Sequence, residues 1–279
     1  MLEAPEFLLE HGRLPRIDDD PKPWKYRGWL LLYLQMTEIQ LRGTQSRWAY
    51  QLELWDTGEL PDDPIPLLHF GHPDPTVYRE LERWARLVGY DDGGWSDFRS
   101  LMDWFLWGLA LARDEPELYR ADAAEKLYRQ ANLGLMLKAP YDYFGAFISE
   151  RKSKNWNPTA FFPTPHSVVE CMVRMLMADG GRDGRHRKVV DPCVGTGRML
   201  LHASNYSLRL YGNDIDPMVL AGCRINGALY APWMSYGLPD SVFAAEDWFS
   251  GVTAPEFAEP APVGKYQPSL FDCAIEDDY

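Results

Sequence analysis

From Trp29 onward, apolar and polar residues alternate with the period of a helix. Residues 29–55 (WLLLYLQMTEIQLRGTQSRWAYQLELW) place Leu31, Leu34, Ile39 and Leu41 among many aromatics at that spacing. Residues 74–90 (DPTVYRELERWARLVGY) repeat the pattern with Val77, Leu81, Trp84 and Leu87. A third helix is expected within 94–116, turning Phe98, Leu101, Phe105 and Leu109 inward, and a fourth within 122–140 (DAAEKLYRQANLGLMLKAP). The proline-rich stretch 57–75 between the first two must be a loop. In the second half the period changes. A helix at 167–178 (SVVECMVRMLMA), with Val168, Val169, Met172, Val173 and Leu176 on one face, is followed by a short apolar strand at 188–192 (KVVDP). Then come a helix at 198–207, a strand at 208–214 (LRLYGND), a helix at 217–231 and a third strand at 241–247 (SVFAAED). Alternating strands and helices predict an α/β fold with a parallel sheet, helices on both its faces, behind a helical N-terminal domain. The expected boundaries are an N-terminal arm at 1–27, a helical domain at 28–150 and the sheet-bearing domain at 151–279.

Composition narrows the partners. With 41 acidic and 28 basic residues the net charge is −13, so the phosphate neutralisation that drives most nucleic-acid binding is weak overall. Such acidity reads first as conferring solubility; the alternative is that any DNA contact is local or supplied by a partner. No apolar run is long enough for a membrane span, and the N-terminus MLEAPEFLLEHGRLPR has no secretion-signal pattern, which reads as a cytoplasmic protein with no membrane partner. Four cysteines without a CxxC pair suggest neither zinc nor a disulfide framework, and His69 and His72 lack ligand-type neighbours, so no metal is expected. The tryptophans of the first half, at helical spacing, read as packing residues rather than base-stacking ones.

The candidate chemistry lies in VVDPCVGTGRML (189–200). An apolar strand runs into Gly195, Thr196 and Gly197 and directly into a helix, so the backbone can pass close to a ligand at the sheet's carboxyl edge. Arg198-Met199 excludes a P-loop, which needs Lys followed by Ser or Thr, and a dinucleotide fingerprint lacks its third glycine. S-adenosylmethionine has no phosphate and needs only close approach with an acid nearby, a place that Asp191 fills. Asp214, seventeen residues beyond Gly197 at the end of the next strand, is placed to accept hydrogen bonds from ribose hydroxyls, with Ile215 beside it to pack on the adenine. Asp216 reads as the cap of the helix that starts at Pro217. Asp247 is the candidate for the adenine amino group, with Trp248 or Phe249 closing the pocket.

The residues FFPTPHSVVECMV (161–173), DPCVGTGRMLL (191–201) and YGNDIDP (211–217), in that order, resemble the gamma-type adenine N6 DNA methyltransferases, especially modification subunits of type I restriction systems. The resemblance implies a partial S-adenosylmethionine-methyltransferase Rossmann-like sheet. It also implies that the turn containing Phe162, Thr164 and Pro165 covers the methionine end of the cofactor, with YDYFGAFISERKSKNW (141–156) leading into it from the helical domain. The family's next strand ends in Asn or Asp, two prolines and an aromatic, which fix the target adenine. Here FDCAI resembles that strand, but Glu-Asp-Asp-Tyr follows, leaving Asp277 as the one catalytic candidate. The implied protein binds S-adenosylmethionine, is not catalytic alone, and serves as a subunit or regulator with a protein partner covering an incomplete sheet. The alternatives are an active adenine methyltransferase completed by a partner chain and a non-enzymatic interaction protein that keeps the fold.

Overall fold

A computed structural model of the chain describes residues 22–88, 95–116, 118, 122–155, 161–177, 182–239 and 241–244. The long helical pattern at 29–55 divides into α1 (Leu31–Arg42) and α2 (Arg47–Thr57), separated by a 3-10 turn that starts at Gly43. The break has a local cause. Gly43 turns the chain in the positive-φ region (φ 56°), and Ser46 caps α2 by accepting from the Ala49 amide at 2.9 Å. The buried Glu38 carboxylate of α1 accepts from the Ser46 hydroxyl and from the Arg47 and Trp48 amides, so the second helix is docked on the first by its own end.

Helix α3 (Pro75–Leu87) starts at the Asp74 cap with proline at its first position, and Val77, Leu81 and Trp84 are fully buried, with Leu87 only partly so. Helix α4 (Trp95–Gly108) buries Phe98, Leu101 and Phe105, and Leu109 stays buried just beyond the helix end. The fourth expected helix is two, α5 (Ala123–Gln130) and α6 (Gly134–Lys138), parted where the Asn132 side chain accepts from the Gly134 amide at 2.9 Å. Helices α7 (Tyr143–Asn155) and α8 (His166–Met177) precede strand β1 (Lys188–Asp191). Then follow α9 (Arg198–Ala203), β2 (Arg209–Gly212), α10 (Pro217–Tyr230), α11 (Trp233–Tyr236) and α12 (Ser241–Ala244). β1 and β2 are parallel, with Lys188 opposite Arg209 and Asp191 opposite Gly212.

The described residues are thus mostly helical around a two-stranded parallel sheet, which is compatible with a partial methyltransferase fold. Two expectations need correction. Residues 241–244 form a helical turn rather than the start of a strand, because the Val242 amide bonds back to the Pro239 carbonyl at 3.1 Å. In α8 the inward residues are His166, Val169, Val173 and Met177, while Val168, Met172 and Leu176 face outward. Both faces of α8 are apolar, so periodicity did not separate them; packing against α9 selects one.

A single hydrophobic core runs from Trp29 to Val242. Helix α10 lies at its centre, packed on α4, α7 and α11 and buried from Gly222 to Tyr230. Arg47 bolts the two halves together: its guanidinium donates to the carbonyls of Pro66 and Tyr230, each at 2.8 Å, and to the Ser204 hydroxyl at 2.7 Å. Burial lowers its pKa to about 9, and these acceptors satisfy the charge it still carries at neutral pH. No described helix is long and apolar enough to cross a membrane.

Candidate functional site

Where β1 and β2 end, the chain opens a cleft of about 360 Å³ between the turn 161–164, the loop 191–196 and the Asp214-Ile215 corner. This is the carboxyl edge of a parallel sheet, where open α/β folds place their ligands. The floor is set by backbone bonds that continue the sheet into its loops. The Asn213 amide donates to the Asp191 carbonyl at 3.0 Å, and the Val194 amide to the Asn213 carbonyl at 2.9 Å.

The two glycines of the loop have different work. Gly195 has φ +56°, and a Cβ there would lie 2.8 Å from the Phe161 ring, so its bareness lets Phe161 close over the loop. Gly197, at φ +90°, faces away from the cleft. A Cβ there would lie 2.8 Å from Cys223 Sγ on α10, so this glycine permits close packing of the loop on that helix. Thr196 is buried, and its hydroxyl points away from the cleft to Asp142 at 2.6 Å, leaving its backbone to line the wall.

Asp214 is engaged with the loop. One carboxylate oxygen accepts from the Gly195 amide at 2.9 Å and the other from the Asp216 amide at 3.0 Å. Each oxygen keeps a second lone pair, so the group can still accept from a diol. Asp216 caps α10 by accepting from the Met218 amide at 2.9 Å. Ile215 is 84% exposed and Phe162 73% exposed at the cleft rim, two large apolar side chains turned to solvent. Asp191 accepts from the Cys193 amide at 3.1 Å. Burial raises its pKa above the ordinary carboxylate value; the Cys193 hydrogen bond opposes the rise and the Asp214 charge adds to it.

The turn is anchored from behind. Arg198 donates to the Thr164 carbonyl at 2.9 Å and more weakly to Pro163 at 3.5 Å. Thr164 is exposed in the cleft wall, whereas Pro165 lies outside it and uses its carbonyl to receive the first amides of α8. Behind the turn, His166 Nδ1 and His202 Nε2 are 2.9 Å apart, both rings buried, and His166 is stacked on Phe70. Since Arg198 is committed inward, the side-chain charges left to the cleft among the described residues are those of Asp191 and Asp214. Such a cleft attracts cations and disfavours phosphates.

The structure therefore gathers Phe162, Thr164, Asp191, Gly195, Thr196, Asp214 and Ile215 around one cleft, with Gly197 and Pro165 behind it. Asp247, Trp248 and Asp277 lie outside the described residues. Sequence reasoning missed Phe161, Arg198, Asp142 and the histidine pair. The available signal was Asp142 standing as the lone acid in the aromatic stretch YDYFGAF (141–147).

Residues 141–231 match the family model described as N-6 DNA Methylase. Over 155 residues the chain is 27% identical to tRNA (guanine(10)-N2)-dimethyltransferase of Pyrococcus abyssi (strain GE5 / Orsay), a match covering 53% of this chain and 42% of that protein. The chain thus matches less than half the length of that relative. No solved structure matches it significantly. The family segment runs from Tyr141 to Ala231 and so takes in the turn, the glycine loop, Asp214 and α10. These residues are N6 DNA methyltransferase-like, as the motifs imply.

Proposed function

We propose that the cleft binds S-adenosylmethionine and that the chain is the cofactor-holding part of a DNA adenine N6-methyltransferase system, acting as a subunit or regulator rather than as an enzyme alone. The observation that carries the reading is Asp214: it holds the Gly195 amide at 2.9 Å yet retains acceptor capacity. A ribose diol is the ligand group that such a carboxylate, beside a close-approaching glycine backbone, suits. Ile215 and Phe162 offer apolar contact for the adenine, and Asp191 balances the positive charge of the methionine end. When bound, S-adenosylmethionine supplies an electrophilic methyl group. The protein's own contribution is to fix the nucleoside, hold a negative charge near the sulfonium, and shape the wall through Thr164.

The second reading, an active enzyme completed by a partner chain, is favoured by the outer face of α8, where Met175 is 80% exposed and Leu176 66% exposed, and by β1, where Val190 is 65% exposed. These apolar surfaces suit a protein partner, and the net charge of −13 suits DNA contact through that partner. The relative's name extends the candidate substrates to the amino group of guanine in tRNA.

Incubation with methyl-labelled S-adenosylmethionine, followed by filter retention and transfer to DNA or tRNA, tests the cofactor assignment and the claim that the chain does not act alone. Retained label without transfer is the expected result. Transfer by the chain alone would overturn the non-catalytic part, and no retention would overturn the cofactor assignment.

A further inference from the structure

We infer that Asp142 is the positioning residue of the cleft, a single buried carboxylate that fixes the glycine loop and the facing turn relative to the helical half of the molecule. It is fully buried at the start of α7. One oxygen accepts from the Gly145 amide at 2.8 Å and from Asn226 Nδ2 at 2.7 Å. The other accepts from Thr196 Oγ1 at 2.6 Å and from Arg198 Nε at 2.7 Å. A carboxylate has about four acceptor sites, and each of these four donors takes one.

Capping α7 needs only the first of those bonds, and a surface Asn or Ser supplies such a cap as well. The remaining three come from segments distant in the chain, and two belong to the cleft. Thr196 sits between the loop glycines. Its carbonyl accepts from the same Asn226 amide at 2.9 Å, so the residue is held at both its side chain and its backbone. Arg198 carries the reference further, because it binds the carbonyls of Thr164 and Pro163 in the opposite wall. Two glycines keep the space open: a Cβ on Gly145 would overlap both Asp142 Oδ2 and Thr196 Oγ1, and one on Gly222 would lie 2.9 Å from Thr196 Cγ2. The donor set suits a carboxylate, which only accepts. An amide in its place turns two hydrogen-bond donors toward a ring of donors, leaving at least one buried pair facing unpaired.

The binding consequence rests on the cleft being the cofactor site; the positioning itself does not. The test is hydrogen exchange on the full chain for wild type, Asp142→Asn, the milder Thr196→Val, and the double variant, together with affinity for S-adenosylhomocysteine. Loss of a charged buried hydrogen bond is expected to speed exchange across 194–198 about tenfold or more in each single variant and to weaken binding by a similar factor. The double variant should be no worse than Asp142→Asn, because both changes remove the same bond. Exchange in α3 and α4 should stay at the wild-type rate. Unchanged loop exchange, acceleration spread over the whole chain, or additive effects would each overturn the assignment. If wild type binds no S-adenosylhomocysteine, the cofactor reading fails while loop exchange and its non-additivity still decide the role of Asp142.

Discussion

At Asp191, burial and the adjacent Asp214 charge hold the carboxyl above its ordinary pKa of 3.8. A cationic ligand is drawn to the ionised form, so affinity is full at neutral pH and is lost as pH falls through a window above that value. Calorimetric titration with S-adenosylmethionine over pH should show this loss, and Asp191→Asn should bind about tenfold more weakly at neutral pH with a flatter profile. The loop glycines make a paired prediction. Gly195→Ala pushes on the Phe161 ring at the cleft, so it should abolish ligand binding for a stability loss of about 1–2 kcal/mol. Gly197→Ala pushes on buried Cys223, so in urea denaturation it should be the more destabilising of the two. The glycine loop and Asp214 were legible in the sequence because their geometry is local: strand, glycines, helix, strand, acid. Asp142 was not, because three of its four donors lie 54, 56 and 84 residues away, and a lone acid in an aromatic stretch, the one local signal, does not say what it binds.

Among the elements, α8 shows what periodicity can and cannot decide. The helix was evident, yet its two faces were equally apolar, and the partner that selects the inner one, α9, is a short piece more than twenty residues on. The His166–His202 contact pins the rotation. Substitutions separate the faces: Val173→Ala should cost about 1–3 kcal/mol in urea denaturation, while Leu176→Lys should stay within about 0.5 kcal/mol. Equal effects would contradict the assigned rotation. Over its described part, 241–244, the strand expected at 241–247 failed for another reason. Four apolar residues without a partner strand are compatible with a helical turn, and Pro239 supplies the carbonyl that starts one.

Across the whole molecule, the helical half and the sheet-bearing half share one core, joined through α10, Arg47 and the packing of Phe70 on His166 and His202. That junction is acid-sensitive. Burial, with Arg198 close to both rings, lowers the pKa of His166 and of His202 from 6.5 to about 4. Asp142 opposes the lowering at His166, and Glu170 opposes it at His202 by more than Arg198 or Arg174 adds there, so burial is what keeps both rings neutral. The unfolded chain takes up these protons below pH 6.5 and the folded chain does not until near 4, so stability is lost as pH falls across that window. Relief of self-repulsion in a chain of net charge −13 acts oppositely, as do the buried Glu38 carboxyl and the partly exposed Asp103 carboxyl, whose pKa values are raised by desolvation. A urea midpoint that falls on acidification from pH 6.5, less steeply in His202→Gln, is therefore diagnostic of the histidine pair.

The central claim is that this acidic, glycine-walled cleft holds S-adenosylmethionine. Isothermal titration with S-adenosylhomocysteine, which keeps the nucleoside and the amino acid, tests it most directly. The account predicts one site per chain in wild type and loss of binding in Asp214→Ala, with the chain still folded. Absence of binding in wild type up to millimolar ligand, or undiminished binding in Asp214→Ala, would contradict it.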